Sequence, residues 1–425
     1  MSRYIEFSDT FLERVRSEVD LAALIERDLK LKRTGKNMVA CCPFHNEKGP
    51  SFTVTPEKNT YRCYGCGAHG DAIEWMRNKH HMTFQDAVAN LAELCGVALP
   101  VEERNGPEDS AQRKRLAGFY QVLKDATRIF ARGLVKSSSA CTYLADKRGL
   151  APETIERFEL GVAAKGVIEL LADSSSREAL IGSGLAAEKD GRIFDRFRHR
   201  IMIPIRNEIG NLIGFAGRSL IADPDKTPKY INCPETEIFH KRRELYALNH
   251  AKTAIRSGRV AVIVEGYFDV ISLHQAGDRR AVAPMGTALT NQQVRRLLVH
   301  ADTIVFAFDG DPAGRKAALA ASAVLLEELK DGKTGKFIFL PDGEDPDTFL
   351  RGQGLAAWLR SIEEAMPLSV LLAEFVAHGL DRGMPESQVK AAEKAKAILA
   401  RTRRAELFRS AMKAKFEEVI GVALH

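Results

Sequence analysis

Between residues 259 and 341 apolar runs and amphipathic stretches alternate along the chain. VAVIVEGYFDV leads into ISLHQAG, RRAVAPM into TNQQVRRLL, and TIVFAFDGD into AGRKAALAASAVLLEELK, before KFIFLPDGED. Short apolar runs separated by helix-period segments predict a parallel sheet with helices packed on it. Upstream, residues 192–220 predict two strands joined by a turn at Glu208–Asn211. Residues 5–30 carry apolar positions at helical spacing, whereas 38–66 alternate in the manner of small strands. TFQDAVANLAELCG predicts a helix opened by a capping box of Thr83 and Asp86 and stopped at Gly96. The polar stretch 100–112 reads as a linker, 113–135 and 139–158 as helices, and the chain from 366 onward as helical with mixed charge. The class is therefore α/β, in a multidomain α+β arrangement.

Composition narrows the setting. At 425 residues with 45% hydrophobic content the chain is long enough for several domains with true cores. It contains no run of about 18 apolar residues, so no membrane span is expected. Its start, MSRYIEFSDTFLERV, is charged and amphipathic, unlike a secretory signal. Of seven cysteines, four cluster early (Cys41, Cys42, Cys63, Cys66) and Cys95, Cys141 and Cys233 stand singly. That is the pattern of a metal site in a reducing compartment, so a cytoplasmic location is expected. The net charge is +6, and residues 192–243 hold 11 Lys/Arg against 6 Asp/Glu, which suggests a polyanionic partner.

Three apolar runs end in acids. The first delivers Glu265 and Asp269, the second Asp309 and Asp311, and the third Asp345 and Asp347. Carboxylates crowded at strand ends repel one another unless a cation lies between them. In parallel sheets ligands collect at those carboxyl ends, so the pattern predicts a magnesium platform for phosphates.

Near the start, Cys42-Pro-Phe-His45 and Cys63-Tyr-Gly-Cys66 are two tight ligand pairs, and Gly65 and Gly67 suit the turn at the second. Two such knuckles supply the four ligands of one tetrahedral, structural zinc. Cys41 and His69 are weaker alternatives. Phe44, Lys48, Phe52, Tyr61, Arg62 and Tyr64 interleave rings with bases, a composition suited to single-stranded nucleic acid, although about half of these residues should be core. GKTGK at 332–336 lacks the spacing of a nucleotide-binding loop and reads as a basic turn.

ACCPFHNEKGPSFTVTPEKNTYRCYGCGAHGDAI resembles the zinc-binding domain of bacterial DnaG-type primases. DRFRHRIMIPI, IGFAGRS, TPKYINCPETEIFHK and EGYFDV…FDGDPAGRKAA…LPDGEDPDT resemble that family's RNA polymerase core, the last being its TOPRIM unit. The resemblance implies a zinc-ribbon domain at 1–100, a linker at 101–112, a basic subdomain at 113–258, a TOPRIM subdomain at 259–341 and an acidic loop with a helical subdomain at 342–425. It implies one zinc on Cys42, His45, Cys63 and Cys66. It places two or more magnesium ions, with manganese as a substitute, on Glu265, Asp309 and Asp311, completed by Asp269, Asp345 and Asp347. It places contacts to template, initiating nucleotide or triphosphate at Arg148, Arg196, Arg218, Lys229 and Lys241.

The activity implied is template-directed synthesis of short RNA primers from ribonucleoside triphosphates on single-stranded DNA, with pyrophosphate released, by a monomer. A replicative helicase is a candidate partner, although the helical domain with which family members bind it is not seen in this sequence. A topoisomerase or nuclease could use the same acidic fold. The first would need a strand-passage domain, and the second has no need of the basic 192–243 segment. A zinc adaptor without activity would not need the acids.

Overall fold

The computed structural model describes residues 7–424 apart from 46, 48, 81, 98–106, 165, 222–226 and 287. It falls into two compact units, divided between Gly106 and Pro107. The expected linker lies outside the described residues as far as 106. From Pro107 the chain is helical to Val135, six residues before the helix expected at 113. Proline at the first helical position gives up no helical hydrogen bond.

The first unit is a five-stranded antiparallel sheet in chain order: β1 (Lys32–Thr34), β2 (Asn37–Ala40), β3 (Phe52–Thr55), β4 (Thr60–Cys63) and β5 (His69–Gly70). Period-two alternation turns Phe52, Val54, Tyr61 and Cys63 into the core and Thr53 and Arg62 away from it. The helix expected over 5–30 is two, Asp9–Glu18 and Leu21–Glu26. Asp20 interrupts it by accepting the Ala23 N–H as a cap. Asn59, in a left-handed turn, fastens the break by accepting from the Leu21 N–H and donating to the Arg16 and Val19 carbonyls. Thr83 opens Phe84–Leu94 as expected, accepting the Asp86 N–H.

The second unit joins two main sheets. The antiparallel one runs β11 (Tyr230–Asn232), β10 (Leu212–Ser219), β9 (Arg200–Arg206) and β6 (Gly161–Ala163). Beside it stands a hairpin of β7 (Ala186–Lys189) and β8 (Arg192–Asp195). The 192–220 stretch thus holds three strands where two were expected. The break falls at 196–199, where His199 takes a left-handed conformation. The helix expected at 139–158 is likewise divided by Gly149, at φ 61°.

The other sheet has the order β13 (Ala281–Val282), β12 (Val260–Ile263), β14 (Thr303–Asp309), β15 (Thr334–Leu340) and β16 (Met366–Pro367). The first four strands are parallel, and β16 pairs antiparallel through Lys336 and Phe337. Its apolar runs are continuous because both faces are buried. Val262, Val264, Val305, Ala307, Ile338 and Leu340 enter a core shared with Ile201, Ile203 and Phe215 of the antiparallel sheet. Ala261, Ile263, Ile304, Phe306 and Phe337 enter a second core with Leu371, Ile398 and Phe416 of the C-terminal helices Leu368–Ala377, Pro385–Arg401 and Glu406–Ile420. The basic GKTGK segment is a turn into β15, with Gly332 at φ 85° and Lys333 bound to Asp302 at 2.7 Å.

Phe306 is fully buried and stacks on Phe337, with ring centroids 5.1 Å apart. Phe306→Ala should therefore cost about 3–5 kcal/mol and lower the melting temperature of the second unit in calorimetry. An unchanged melting temperature would contradict this core assignment.

Candidate metal centres and the cationic cradle

Cys42 lies just beyond β2, and Cys63 ends β4 opposite Phe52. The ligand atoms of Cys42, His45, Cys63 and Cys66 lie within 4.8 Å of one another. Cys42 Sγ and Cys66 Sγ are 3.8 Å apart, and Cys63 Sγ is 3.9 Å from His45 Nδ1. Thiolates bonded to one zinc at about 2.3 Å in a tetrahedron stand about 3.8 Å apart, so the residues fit a four-coordinate zinc. Gly65 and Cys66 donate backbone N–H groups to Cys63 Sγ, and Ser51 Oγ lies 3.1 Å from it. Burial raises the Cys63 thiol, but these donors outweigh it and bring the thiol down to about 6. Glu47 accepts from the Cys42 N–H, the Ser51 N–H and Ser51 Oγ, and lies 3.2 Å from His45 Nε2. It thereby fixes the ring so that Nδ1 faces the thiols. A Cβ on Gly65 would stand 2.6 Å from His45 Nε2, so only glycine fits the knuckle. Cys41 and His69 are exposed and stand outside the group.

Of the rings around the knuckles, Phe52 and Tyr61 pack with Trp75 in the core. Tyr64 is 73% exposed, with Arg62 over its ring at 5.6 Å. Lys48 lies outside the described residues.

Glu265 follows β12, Asp309 ends β14, and Asp311 caps the helix Pro312–Glu328 by accepting the Gly314 N–H. The turn between the two aspartates is tight. A Cβ on Gly310 would meet the Leu340 carbonyl at 2.2 Å, and one on Gly314 the Asp309 carbonyl at 2.0 Å. Glu265 is pushed up by burial and then by the charges of Asp309 and Asp311. Asp309 is pushed up by burial, Asp311 and Asp345. Among the described residues neither Glu265 nor Asp309 has an ion-pair or side-chain hydrogen-bond partner. Nor do three acids bring oxygens within 4.8 Å, a grouping only the Cys/His site achieves. Unneutralised carboxylates converging on one edge fit hydrated divalent ions gripped partly through water, as magnesium prefers.

Asp269 differs from the expected strand-end acid. It lies in the first turn of the helix Tyr267–Ala276, buried, accepting the Gly266 N–H at 2.9 Å. Burial, with Asp345 and Asp347 nearby, lifts it to about 7. Asp345 caps the helix Pro346–Glu363 through Thr348. Asp347 is fully buried and already engaged, by Arg148 at 2.7 Å, Ser272 at 2.7 Å and Arg351 at 3.3 Å.

The basic candidates divide. Arg148 reaches Asp347 and lies 4.6 Å over the Phe268 ring, while Arg218 lies 5.2 Å over Tyr230. The Tyr143 hydroxyl receives Nε–H from both, at 3.0 and 3.3 Å. Lys229 is exposed, and its carbonyl accepts from the Ser219 N–H. Arg196 and Lys241 bring their charges close to Cys233, and among the described residues the buried Arg196 Nε has no partner. Asn232 ties the antiparallel sheet to the acid-bearing one, accepting from Tyr267 Oη and donating to the Met285 carbonyl. Sequence reasoning passed over Tyr143, Tyr230, Asn232 and Glu47. Glu47 stands between the knuckles and Tyr230 and Asn232 within the string that holds Lys229, whereas Tyr143 lies outside every motif.

Three family descriptions match this chain: a CHC2 zinc finger over residues 7–106, the N-terminal domain of a DNA primase catalytic core over 129–252, and a Toprim domain over 259–334. The DNA primase of Escherichia coli K12 is 41% identical over 387 residues, covering 89% of this chain and 66% of that protein. The DNA primase of Neisseria meningitidis serogroup B is 38% identical over 417 residues, covering 97% and 70%. The chain thus spans about two thirds of the curated relatives it matches. A crystal structure of the zinc-binding and RNA polymerase domains of Aquifex aeolicus primase is 30% identical, with a TM-score of 0.64 over 97% of this chain and 98% of that one. A DnaG primase catalytic domain bound to single-stranded DNA is 34% identical, with a TM-score of 0.66 over 73% and 98%.

Cys63→Ser should reduce bound zinc from one per chain to none by atomic emission and melt the first unit. Retained zinc would contradict the ligand set. Asp269 offers a pH test. Its folded value, about 7, lies above the ordinary carboxylate value, so the folded state holds the extra proton between them. Stability in magnesium-free buffer should therefore fall as pH rises from about 4 to 7, by at most about 1.4 kcal/mol per pH unit from this group. Asp269→Asn should flatten that slope, and added magnesium should reduce it.

Proposed function

The chain belongs to the bacterial DnaG-type DNA primase family, and on that premise we propose that it joins ribonucleotides on a single-stranded DNA template. The reaction is nucleotidyl transfer: a 3′-hydroxyl attacks the α-phosphorus of a ribonucleoside triphosphate and pyrophosphate leaves. The observation that carries this reading is the convergence of Glu265, Asp309 and Asp311. Burial and the neighbouring acid charges raise the proton affinity of Glu265 and Asp309, and among the described residues no protein cation pairs with either.

Those three acids would hold divalent cations, with Asp345 at their margin. When bound, such ions supply neutralisation of the triphosphate and activation of the attacking hydroxyl. The protein's own contribution is placement, because phosphoryl transfer asks for alignment and charge compensation more than covalent chemistry. Asp269 serves the site from behind by fixing the Gly266 turn next to Glu265. Asp347 anchors Arg148 and belongs with the positioning groups rather than with the ion ligands. Arg148 and Arg218 supply positive charge to phosphate, and Lys229 offers an exposed ammonium.

In the first unit the zinc is structural: four protein ligands leave no open position. The exposed Tyr64 and Arg62 give that unit a stacking and phosphate-binding tip for template single strand. A cytoplasmic location and use of magnesium in particular belong to the same proposal.

Asp309→Ala should abolish incorporation of labelled ribonucleotides on single-stranded template, a loss of at least about 10³-fold for an acid of the ion platform. Template affinity should stay within about twofold of the parent. Cut or relaxed DNA in place of new RNA, or loss of template affinity with synthesis intact, would refute the assignment.

A further inference from the structure

Tyr143 opens a π-helical turn, Tyr143–Lys147, directly after the helix Ser138–Thr142. The widened turn returns the Arg148 N–H to the Tyr143 carbonyl at 3.0 Å and sets both side chains together. Arg218 arrives from β10, 75 residues away in sequence, and donates to the same hydroxyl. Two guanidinium groups sharing one neutral oxygen is an unusual economy, because the cations repel and a carboxylate there would hold them better.

The hydroxyl oxygen accepts twice, so its own hydrogen must be given elsewhere. Among the described residues it has no acceptor. Among the described residues neither Arg148 nor Arg218 has a partner for its Nη2; their Nη1 groups go to Asp347 and to the Lys229 carbonyl. Three unspent donors, two of them cationic, therefore stand together between the Phe268 and Tyr230 rings. Tyr143 itself is half-buried, open to a ligand.

We propose that the Tyr143 hydroxyl donates to a phosphate oxygen of the bound ribonucleoside triphosphate and locks Arg148 and Arg218 into one anion seat. The inference rests on the nucleotidyl-transfer reading and adds to it a specific binding and positioning residue. The ligand chemistry is phosphate. Its source is the incoming triphosphate rather than the DNA backbone, because the Arg148–Asp347 pair joins the seat to the acid cluster, where the α-phosphorus must lie.

The test is Tyr143→Phe in the full chain, which keeps the ring and removes only the hydroxyl. The Michaelis constant for ribonucleoside triphosphate should rise about tenfold, the size expected of one hydrogen bond to a charged group. The turnover number should stay within about twofold, and the affinity for single-stranded template should not change. Equilibrium binding of ATP with magnesium should weaken by the same factor, while binding of adenosine, which lacks phosphate, should be unaffected. Unchanged ATP affinity, an equal loss for adenosine, or a loss confined to template would overturn the proposal. The ATP measurement needs no RNA synthesis. It therefore separates failure of this seat from failure of the wider reading, which absence of primer synthesis by the parent protein would show.

Discussion

Mutual repulsion among carboxylates governs the second unit. Burial, and then the charges of neighbouring acids, make Glu265 and Asp309 hold their protons more tightly than isolated carboxyls would. Such a group persists only because something else fixes the backbone that carries it. Here it is a parallel sheet whose strands bury alternate residues in two separate cores. The folding free energy of those cores holds the acids in proximity, and counter-charge is left to come from outside. The glycines at 310 and 314 belong to the same constraint, because any side chain there would strike the Leu340 or Asp309 carbonyl and spread the turn.

Much of this was legible in the residues. Alternating apolar runs and helix-period segments between 259 and 341 gave the parallel sheet, and two Cys/His pairs pointed to four side chains that the fold brings together. What escaped is what local pattern does not encode. Asp269 looked like a strand-end acid because the rest of VIVEGYFDV is mostly apolar, yet Gly266 starts a helix that carries it inward. Asp347 looked equivalent to Asp345 until Arg148, 199 residues earlier, was found on it. Tyr143 gave no signal, since a π turn has no periodicity of its own and its second partner, Arg218, lies 75 residues away.

The zinc unit shows the converse. Its four candidate ligands stood out in the sequence, but the order around them depends on Glu47, which satisfies two backbone donors and a hydroxyl while bracing the histidine. Interleaved rings and bases suggested a nucleic-acid face. Packing sorted them, drawing Phe52 and Tyr61 onto Trp75 and leaving Tyr64 and Arg62 outside. In a small sheet the rings that build the core and those that face solvent can alternate within one strand, so composition alone could not separate them.

The parallel sheet also ends bluntly on both sides. At one margin β16 is two residues long and finishes in Pro367, which has no N–H to offer; at the other β13 is equally short and is overlain by the Tyr246–Ala283 bridge. Neither margin presents a ladder onto which a foreign strand could zip. A protein obliged to keep an uncompensated acidic ledge open to solvent is thereby spared the commonest route by which exposed sheets self-associate into aggregates.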